Sequence, residues 1–515
     1  MVGVADGRMA GMTALGFEPT DEQQAARDLF VSEEENIAIE ALAGTGKTST
    51  LRFIAATVPA LRFQYVAFNK AIVTDAENSM PGNVSARTAH SLAFAAVGRQ
   101  YAHRLQSKRL RSIEIADRLG ITYGFDITYG SQTKTLPRGW LASHVMRAAT
   151  AFCQTADPEP TARHFPYVEG IDVLASGGRR TYVNNNAVAE EMLPALRTAW
   201  ADLSSPGGTL RFSHDVYLKV WQLGTPKIDA DVILFDEAQD ANPVLLDIVE
   251  RQDHAQRVWV GDSRQAIYQW RGAVDALAKI DASARAHLTQ SFRFGHPIAE
   301  HANLILARLG ETLRVRGHDA VESRVGAHEA HTAILCRSNA RAVRHVLDHQ
   351  QDGGAPHLVG GGKEVLAFAR GARQLREEGF SSHPDLACFK SWAEVEDYVA
   401  NDPSGSDLAL NFRLVEEFGT TTIITALGHP MPEPDADVIV STAHKAKGRE
   451  WPTVLLSDDF EARLAREEEP PPEELRLLYV ASTRARHGLD DRWVRHIIQP
   501  PEPAGEDDEA EEAAS

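Results

Sequence analysis

Cysteine is nearly absent: Cys153, Cys336 and Cys388 are the three in 515 residues, and no two stand at metal-ligand spacing. Their isolation argues for a reducing compartment and against a cysteine-built metal site. No apolar stretch approaches the length of a bilayer span, and the N-terminus lacks the apolar core of a signal peptide. A cytoplasmic protein with no membrane partner is the expectation. Positive charge is in deficit as well. Lys and Arg number 53 against 72 Asp and Glu, a formal net charge of −19, which argues against indiscriminate nucleic-acid affinity. Seven of the acidic groups follow Pro501: Glu502, Glu506, Asp507, Asp508, Glu509, Glu511 and Glu512. Such a run reads first as a solvated, disordered end, and second as a tail that binds a protein partner or mimics DNA. A localised basic groove remains compatible with the acidic total.

The chain is too long for one compact core, and 43% hydrophobic with 24% charged residues is ordinary for a globular protein. Strand-like runs at Gln64–Phe68, Val84–Thr88, Val232–Phe235 and Val258–Asp262 are separated by helical stretches. That alternation predicts a parallel, doubly wound α/β sheet. A second alternating segment starts near 290 with Ala333–Cys336, a helix over Ala340–His349, Asp437–Val440 and Thr453–Leu456. The interval 95–205 interrupts the first unit with helical, partly basic sequence, and 366–434 interrupts the second with a smaller helical insert. The expected organisation is a flexible leader over 1–17, a first unit over 18–94 and 206–288, and its insertion over 95–205. A second unit over 289–365 and 435–498 follows, with its reduced insertion over 366–434 and an acidic tail over 499–515. No internal repeat is present.

Two motifs carry chemistry. The loop Ala41-Leu42-Ala43-Gly44-Thr45-Gly46-Lys47-Thr48 follows the strand-like Ile37-Ala38-Ile39 and opens the helical Leu51-Arg52-Phe53-Ile54-Ala55. In that setting glycines let backbone N–H groups of Ala43, Gly44, Thr45 and Gly46 wrap phosphates at a positive helix N-terminus. Lys47 is placed for the β- and γ-phosphates and the Thr48 hydroxyl for Mg²⁺. Far downstream, Asp236-Glu237-Ala238-Gln239-Asp240 ends the apolar run Val232–Phe235. Asp236 is the second expected Mg²⁺ ligand, directly or through water. Glu237 is placed to orient and deprotonate an attacking water. Loop and acidic pair together imply hydrolysis of a nucleoside triphosphate. Ala41 stands where the usual loop pattern has its first glycine.

Further signatures follow in a fixed order. Val260-Gly261-Asp262-Ser263-Arg264-Gln265-Ala266-Ile267-Tyr268-Gln269-Trp270-Arg271-Gly272-Ala273 resembles motif III of UvrD-like superfamily 1 helicases. Ser291-Phe292-Arg293 resembles motif IV, Ser441–Trp451 motif V, Leu478–Ala485 motif VI, and Thr20–Gln24 the adenine-reading Q motif. The resemblance covers nearly all of 18–490. Thr88–Ala93 and His214–Leu223 look closest to the catalytic core of F-box DNA helicases. No F-box precedes the core in this sequence, so a compact bacterial or phage relative is expected.

The resemblance implies two tandem RecA-like P-loop domains that use ATP and Mg²⁺ and act on single-stranded and tailed duplex DNA. It makes Arg293 and Arg484 arginine fingers, a device worth ~10³–10⁵ in rate. Gln265 would sense the γ-phosphate and attacking water, Glu450 would bind the ribose or nearby polar groups, and Gln23 the adenine edge. Phe292 stands where many relatives have tyrosine, with adenine stacking and core packing both open. Tyr268 and Trp270 sit two apart and share a face on an extended segment. Stacking of bases, at roughly 1–3 kcal/mol each, is one use, and core packing the other. Phe68 with Asn69, Thr88 with His90, and Thr442 with His444 occupy the matching DNA-facing motifs. The histidines are expected to bond phosphate rather than metal, although either alone would more often be structural. Only about 150 residues separate Arg293 from motif V, too few for the large second insertion of UvrD-type enzymes. The region after Arg484 is also short and offers only Trp493 as a duplex-splitting element.

The function implied is ATP-driven 3′-to-5′ translocation and unwinding in DNA repair, recombination or replication. Two alternatives stay open. One is a translocase that strips proteins such as recombinase filaments from DNA with little unwinding. The other is a nucleotide-gated DNA-binding module.

Overall fold

The computed structural model describes residues 17–33, 36–67, 70–106, 110–129, 132–168, 171–172, 181–268, 275–383, 385–386, 389–401, 406–465 and 469–499. The chain divides into two compact units, Met1–Ala41 with Lys47–Leu288, and Leu42–Gly46 with Thr289–Ser515.

The first unit carries strands β1 (Asn36–Ala41), β2 (Phe63–Ala67), β3 (Val84–Thr88), β4 (Phe125–Tyr129), β5 (Gln132–Leu136), β6 (Val232–Phe235), β7 (Gln256–Gly261) and β8 (Ala284–Leu288). Six of them form one sheet in the order β3-β2-β6-β7-β1-β8, every pair parallel. A parallel sheet has helices on both faces, so its inner strands are apolar throughout rather than alternating. All five residues of β2 and all four of β6 are buried accordingly. Trp259 and Tyr65 are among the largest wholly buried side chains.

The excursion between β3 and β6 is largely helical, with Ser112–Arg118, Arg138–Phe152 and Val183–Ser204. Arg138–Phe152 buries Leu141, Val145, Ala148 and Phe152, the three- and four-residue spacing of one helix face. It also holds an antiparallel hairpin, β4 with β5, pairing Phe125 with Leu136 and Tyr129 with Gln132. The sequence pattern of the interval predicts helix alone here. Phe125-Asp126-Ile127-Thr128-Tyr129 alternates apolar and polar residues, and that period of two prevails locally. Arg104, 3% exposed, finishes the helix Val183–Ser204. Its guanidinium donates to the carbonyls of Asp202, Leu203 and Ser205 at the helix end and of Leu210 beyond it, at 2.6–3.1 Å. Lys219 is wholly buried on the helix His214–Leu223 and donates to Thr155 O, Asp157 O and Gln222 Oε1 at 2.7, 2.6 and 2.8 Å.

The second unit holds β9 (Arg324–Val325), β10 (Ala333–Cys336), β11 (Pro356–Leu358), β12 (Val438–Thr442), β13 (Trp451–Leu456) and β14 (Ala485–Asp490). These form a second parallel sheet, β11-β12-β10-β13-β14-β9. Between β11 and β12 lie helices Lys363–Glu378, Trp392–Asn401 and Ser406–Gly428, the last interrupted at Gly419 (φ 76°, ψ 152°). They share an apolar cluster of Phe368, Leu375, Val395, Leu414 and Ile423 with the helix Asn339–Gln351. Two helix-covered parallel sheets are the α/β architecture that the alternation anticipates. Among the described residues no helix is long and apolar enough to cross a membrane.

Candidate active site

Three neighbouring strands of the first unit, β6, β7 and β1, end beside one another, where parallel sheets place their ligands. After β1 the chain turns through Gly44 (φ +74°) and Gly46 (φ +78°), left-handed conformations that favour glycine. The Thr45 hydroxyl donates to Leu42 O at 2.8 Å, and the helix Lys47–Thr57 follows at once. Leu42–Gly46 also makes contacts inside the second unit. The Phe292 N–H donates to Gly44 O at 2.8 Å, and a Cβ at Gly44 would lie 2.5 Å from Ser291 Oγ.

Lys47 Nζ lies 3.4 Å from Glu237 Oε1, both side chains largely buried. Glu237 has φ 54°, one of two non-glycine residues with positive φ among the described residues. Such strain persists only where the surroundings impose it. The surroundings are visible. The Glu237 N–H donates to Asp236 Oδ1 at 2.8 Å, and Gln239 Nε2 donates to Glu237 Oε2 while Gln239 Oε1 accepts the Asp262 N–H at 3.0 Å. A Cβ on Gly261 would sit 2.2 Å from that Gln239 oxygen, so only glycine leaves it room. Asp262, wholly buried, accepts from the Arg264 N–H at 3.1 Å and from Gln265 Nε2 at 2.7 Å.

Tyr65 joins the two expected metal ligands. Its hydroxyl donates to Asp236 Oδ2 at 2.5 Å and also bonds the Thr48 hydroxyl. Burial, then the Glu237 carboxylate, raises Asp236, against Lys47 and the bonds it accepts from Tyr65 and the Glu237 N–H. Burial, then Asp236, holds the Tyr65 phenol protonated. Burial raises Asp262 too, with Lys47 and Gln265 opposing. The donor set is therefore one carboxylate and one hydroxyl converging on a single atom. Mg²⁺ accepts such hard oxygens, using one or two protein ligands beside substrate phosphates.

In the second unit Arg293 Nε pairs with Glu450 Oε2 at 2.7 Å, and Arg293 Nη1 donates to Thr483 O at 3.0 Å. Burial opposes ionisation of Glu450, but Arg293 holds it below its ordinary value. The side chain expected at the ribose is thus occupied by the guanidinium. Arg484 is 2% exposed, with Nε donating to Val480 O at 2.8 Å and Nη2 to Thr483 Oγ1 at 3.1 Å. Phe292 is 42% exposed, so its ring is no core residue, and it stands 5.7 Å from the ring of His318.

The remaining sites vary. Gln23 is buried and already engaged: its Oε1 accepts the Thr20 N–H at 3.1 Å and its Nε2 donates to Thr50 Oγ1 at 3.1 Å, a capping box. Thr88 and Thr442 cap the helices Ala89–Ala96 and Ala443–Ala446. His90 Nε2 is 3.2 Å from Asp215 Oδ1. His444 and Tyr268 are half-buried. Phe68, Asn69 and Trp270 lie outside the described residues. The sequence reading missed Tyr65, Gln239, Asp262 and His318. Asp262, inside motif III, and Gln239, inside the run Asp236–Asp240, had a local signal; Tyr65 and His318 had none.

Residues 224–281 match the UvrD/REP helicase N-terminal domain, and residues 437–489 match the UvrD-like helicase C-terminal domain. Over 91% of its length the chain is 30% identical to F-box DNA helicase protein 1 of Schizosaccharomyces pombe, covering 57% of that protein. It is likewise 30% identical over 91% of its length to F-box DNA helicase 1 of Gallus gallus, covering 48% of it. The chain spans about half the length of these curated relatives. A phosphate loop and acidic pair on one parallel sheet, a second parallel sheet bearing the late motifs, and a match within each unit point the same way: the chain is similar to UvrD-like helicases in both their N-terminal and C-terminal domains.

Proposed function

We propose that this chain is an ATP-dependent DNA helicase, moving 3′ to 5′ on single-stranded DNA by hydrolysing ATP. One observation carries the hydrolytic part: Lys47, Glu237, Asp236, Tyr65 and Thr48 form one connected set at the strand ends behind a glycine-turned loop. Lys47 and the loop N–H groups bind the triphosphate, and Lys47 exchanges its Glu237 partner for phosphate oxygens. Thr48 and Asp236 hold Mg²⁺, which when bound offsets the charge of the β- and γ-phosphates. Glu237, fixed by Gln239, orients the attacking water and takes its proton. Arg293 and Arg484 neutralise charge on the transferring phosphoryl group, which requires Arg293 to leave Glu450. Gln265 relays the state of the γ-phosphate, and Phe292 offers its exposed face to adenine. The assigned DNA contacts are Phe68, Asn69, Thr88, His90, Tyr268, Trp270, Thr442 and His444.

The units 18–94 with 206–288, and 289–365 with 435–498, act as the two motor domains in this reading. DNA as substrate follows the names of the two relatives. Direction, pathway and any partner of the acidic tail rest on the resemblance and composition.

ATPase measured with and without single-stranded DNA, then unwinding of 3′- and 5′-tailed duplexes, tests the proposal. Lys47→Ala and Glu237→Gln abolish turnover, but Glu237→Gln still binds ATP and DNA. Near-normal steady-state hydrolysis by Glu237→Gln would remove Glu237 from the role of base. Unwinding that prefers a 5′ tail would reverse the direction.

A further inference from the structure

The second unit holds a buried polar chain that the hydrolytic scheme leaves unused. His301, on the helix His296–Arg308, is 4% exposed. Its Nδ1 lies 3.3 Å from Asp491 Oδ2, and its Nε2 lies 3.1 Å from Ser482 Oγ. Asp491, also buried, is held as well by Arg495, whose Nη2 donates to Oδ1 at 2.8 Å and whose Nε donates to Oδ2 at 3.2 Å. Burial would raise Asp491, but the bonds from His301 and Arg495 hold it below its ordinary value, so it stays a carboxylate. Asp, His and Ser in line suggest a nucleophile and its base. Ser482 is wholly buried, however, so no substrate reaches its hydroxyl.

What the chain does grip is the end of the helix Pro472–Ser482. The next residue, Thr483, is a junction. Its carbonyl accepts Arg293 Nη1 at 3.0 Å, and its hydroxyl accepts Arg484 Nη2 at 3.1 Å while donating to Tyr479 O at 2.8 Å. Both arginines take their bearing from the residue beside Ser482. The apolar neighbours Ile298, Ala302 and Ile305 on the same helix are buried, and an apolar side chain at 301 would pack there without needing partners. A buried imidazole left unbonded costs about 1–3 kcal/mol, so histidine suits this position through what it links.

We propose that His301 is a positioning residue for ATP hydrolysis: it ties Ser482 to the Asp491–Arg495 pair and so fixes Thr483, which aims Arg293 and Arg484. This rests on the role assigned to those two arginines above. The experiment compares Ser482→Ala, His301→Leu and the double variant with Lys47→Ala, measuring DNA-stimulated ATPase and ATP-binding stoichiometry on the full chain. In each single variant kcat falls about tenfold, a small part of the ~10³–10⁵ that a finger supplies. KM for ATP and the stoichiometry stay within about twofold, and the double variant is no slower than the worse single, because one linkage is broken in each case. Unchanged kcat in Ser482→Ala, beside an inactive Lys47→Ala, overturns the proposal and leaves the ATPase reading standing. A loss of kcat that merely follows lost stoichiometry makes the chain a packing element and overturns it as well. An active Lys47→Ala overturns the ATPase reading itself, and this proposal with it.

Discussion

Tyr65→Phe removes one oxygen atom from the centre of the proposed nucleotide site and nothing else. The ring is wholly buried in β2, so its packing is retained. What disappears is the 2.5 Å bond to Asp236 Oδ2 and the contact with the Thr48 hydroxyl. Asp236 keeps the Glu237 N–H on its other oxygen and the attraction of Lys47. A hydrogen bond to a charged group contributes about 1.5–3 kcal/mol net. For a unit of this size that lowers Tm of the ligand-free protein by roughly 3–5 °C. The same hydroxyl orients both expected Mg²⁺ ligands, and losing such an outer partner costs about 10–100-fold in metal affinity. Thermal melting and a Mg²⁺ titration of ATPase at saturating ATP read the two effects. Single-strand affinity without nucleotide is unchanged, since the hydroxyl faces the carboxylate. A variant with wild-type Tm and wild-type Mg²⁺ midpoint would refute the reasoning.

Lys219→Met leaves the buried acceptors of Thr155, Asp157 and Gln222 short of their donor and destabilises the first unit by about 3 kcal/mol in urea unfolding; a change under about 0.5 kcal/mol would mean these carbonyls find other partners. Burial would raise Asp490, but bonds from Arg492, the His328 N–H and His331 more than offset it and hold its carboxyl well below the ordinary range. A depressed folded pKa gives stability that is present above the unfolded value of about 3.9 and is lost as pH falls below it. Asp490→Asn should therefore flatten the acid limb of stability against pH, and an unaltered limb would assign acid sensitivity to other groups. Trp270→Ala should spare basal ATPase and reduce its stimulation by DNA, with single-strand affinity weakened by about 1–3 kcal/mol. Global unfolding of that variant would make Trp270 a packing residue.

Much of the sheet framework was legible because parallel strands are written as unbroken apolar runs. Val232–Phe235 and Ala333–Cys336 coincide with β6 and β10. The hairpin was legible too, from the alternation in Phe125–Tyr129, but a helical reading of the whole interval concealed it. Tyr65 was not legible. In sequence it is one aromatic within a buried strand, and only the pairing of β2 with β6 carries it to Asp236. His301 fails for the same reason, since its partners at 482 and 491 come from distant segments. Gln23 is the reverse case. Thr20-Asp21-Glu22-Gln23 is a capping-box pattern, and the structure engages both ends of the amide in keeping with it.

Each sheet releases its longest excursion from an outermost strand. The stretch carrying the hairpin leaves from β3 and the three-helix stretch leaves from β11, both of which border only one neighbour. An edge strand has a single register to keep, so a long segment attached there disturbs no inner pairing. These two junctions are where a segment can be lengthened, shortened or exchanged while each sheet keeps its alignment. They are equally where a designer would graft a foreign module.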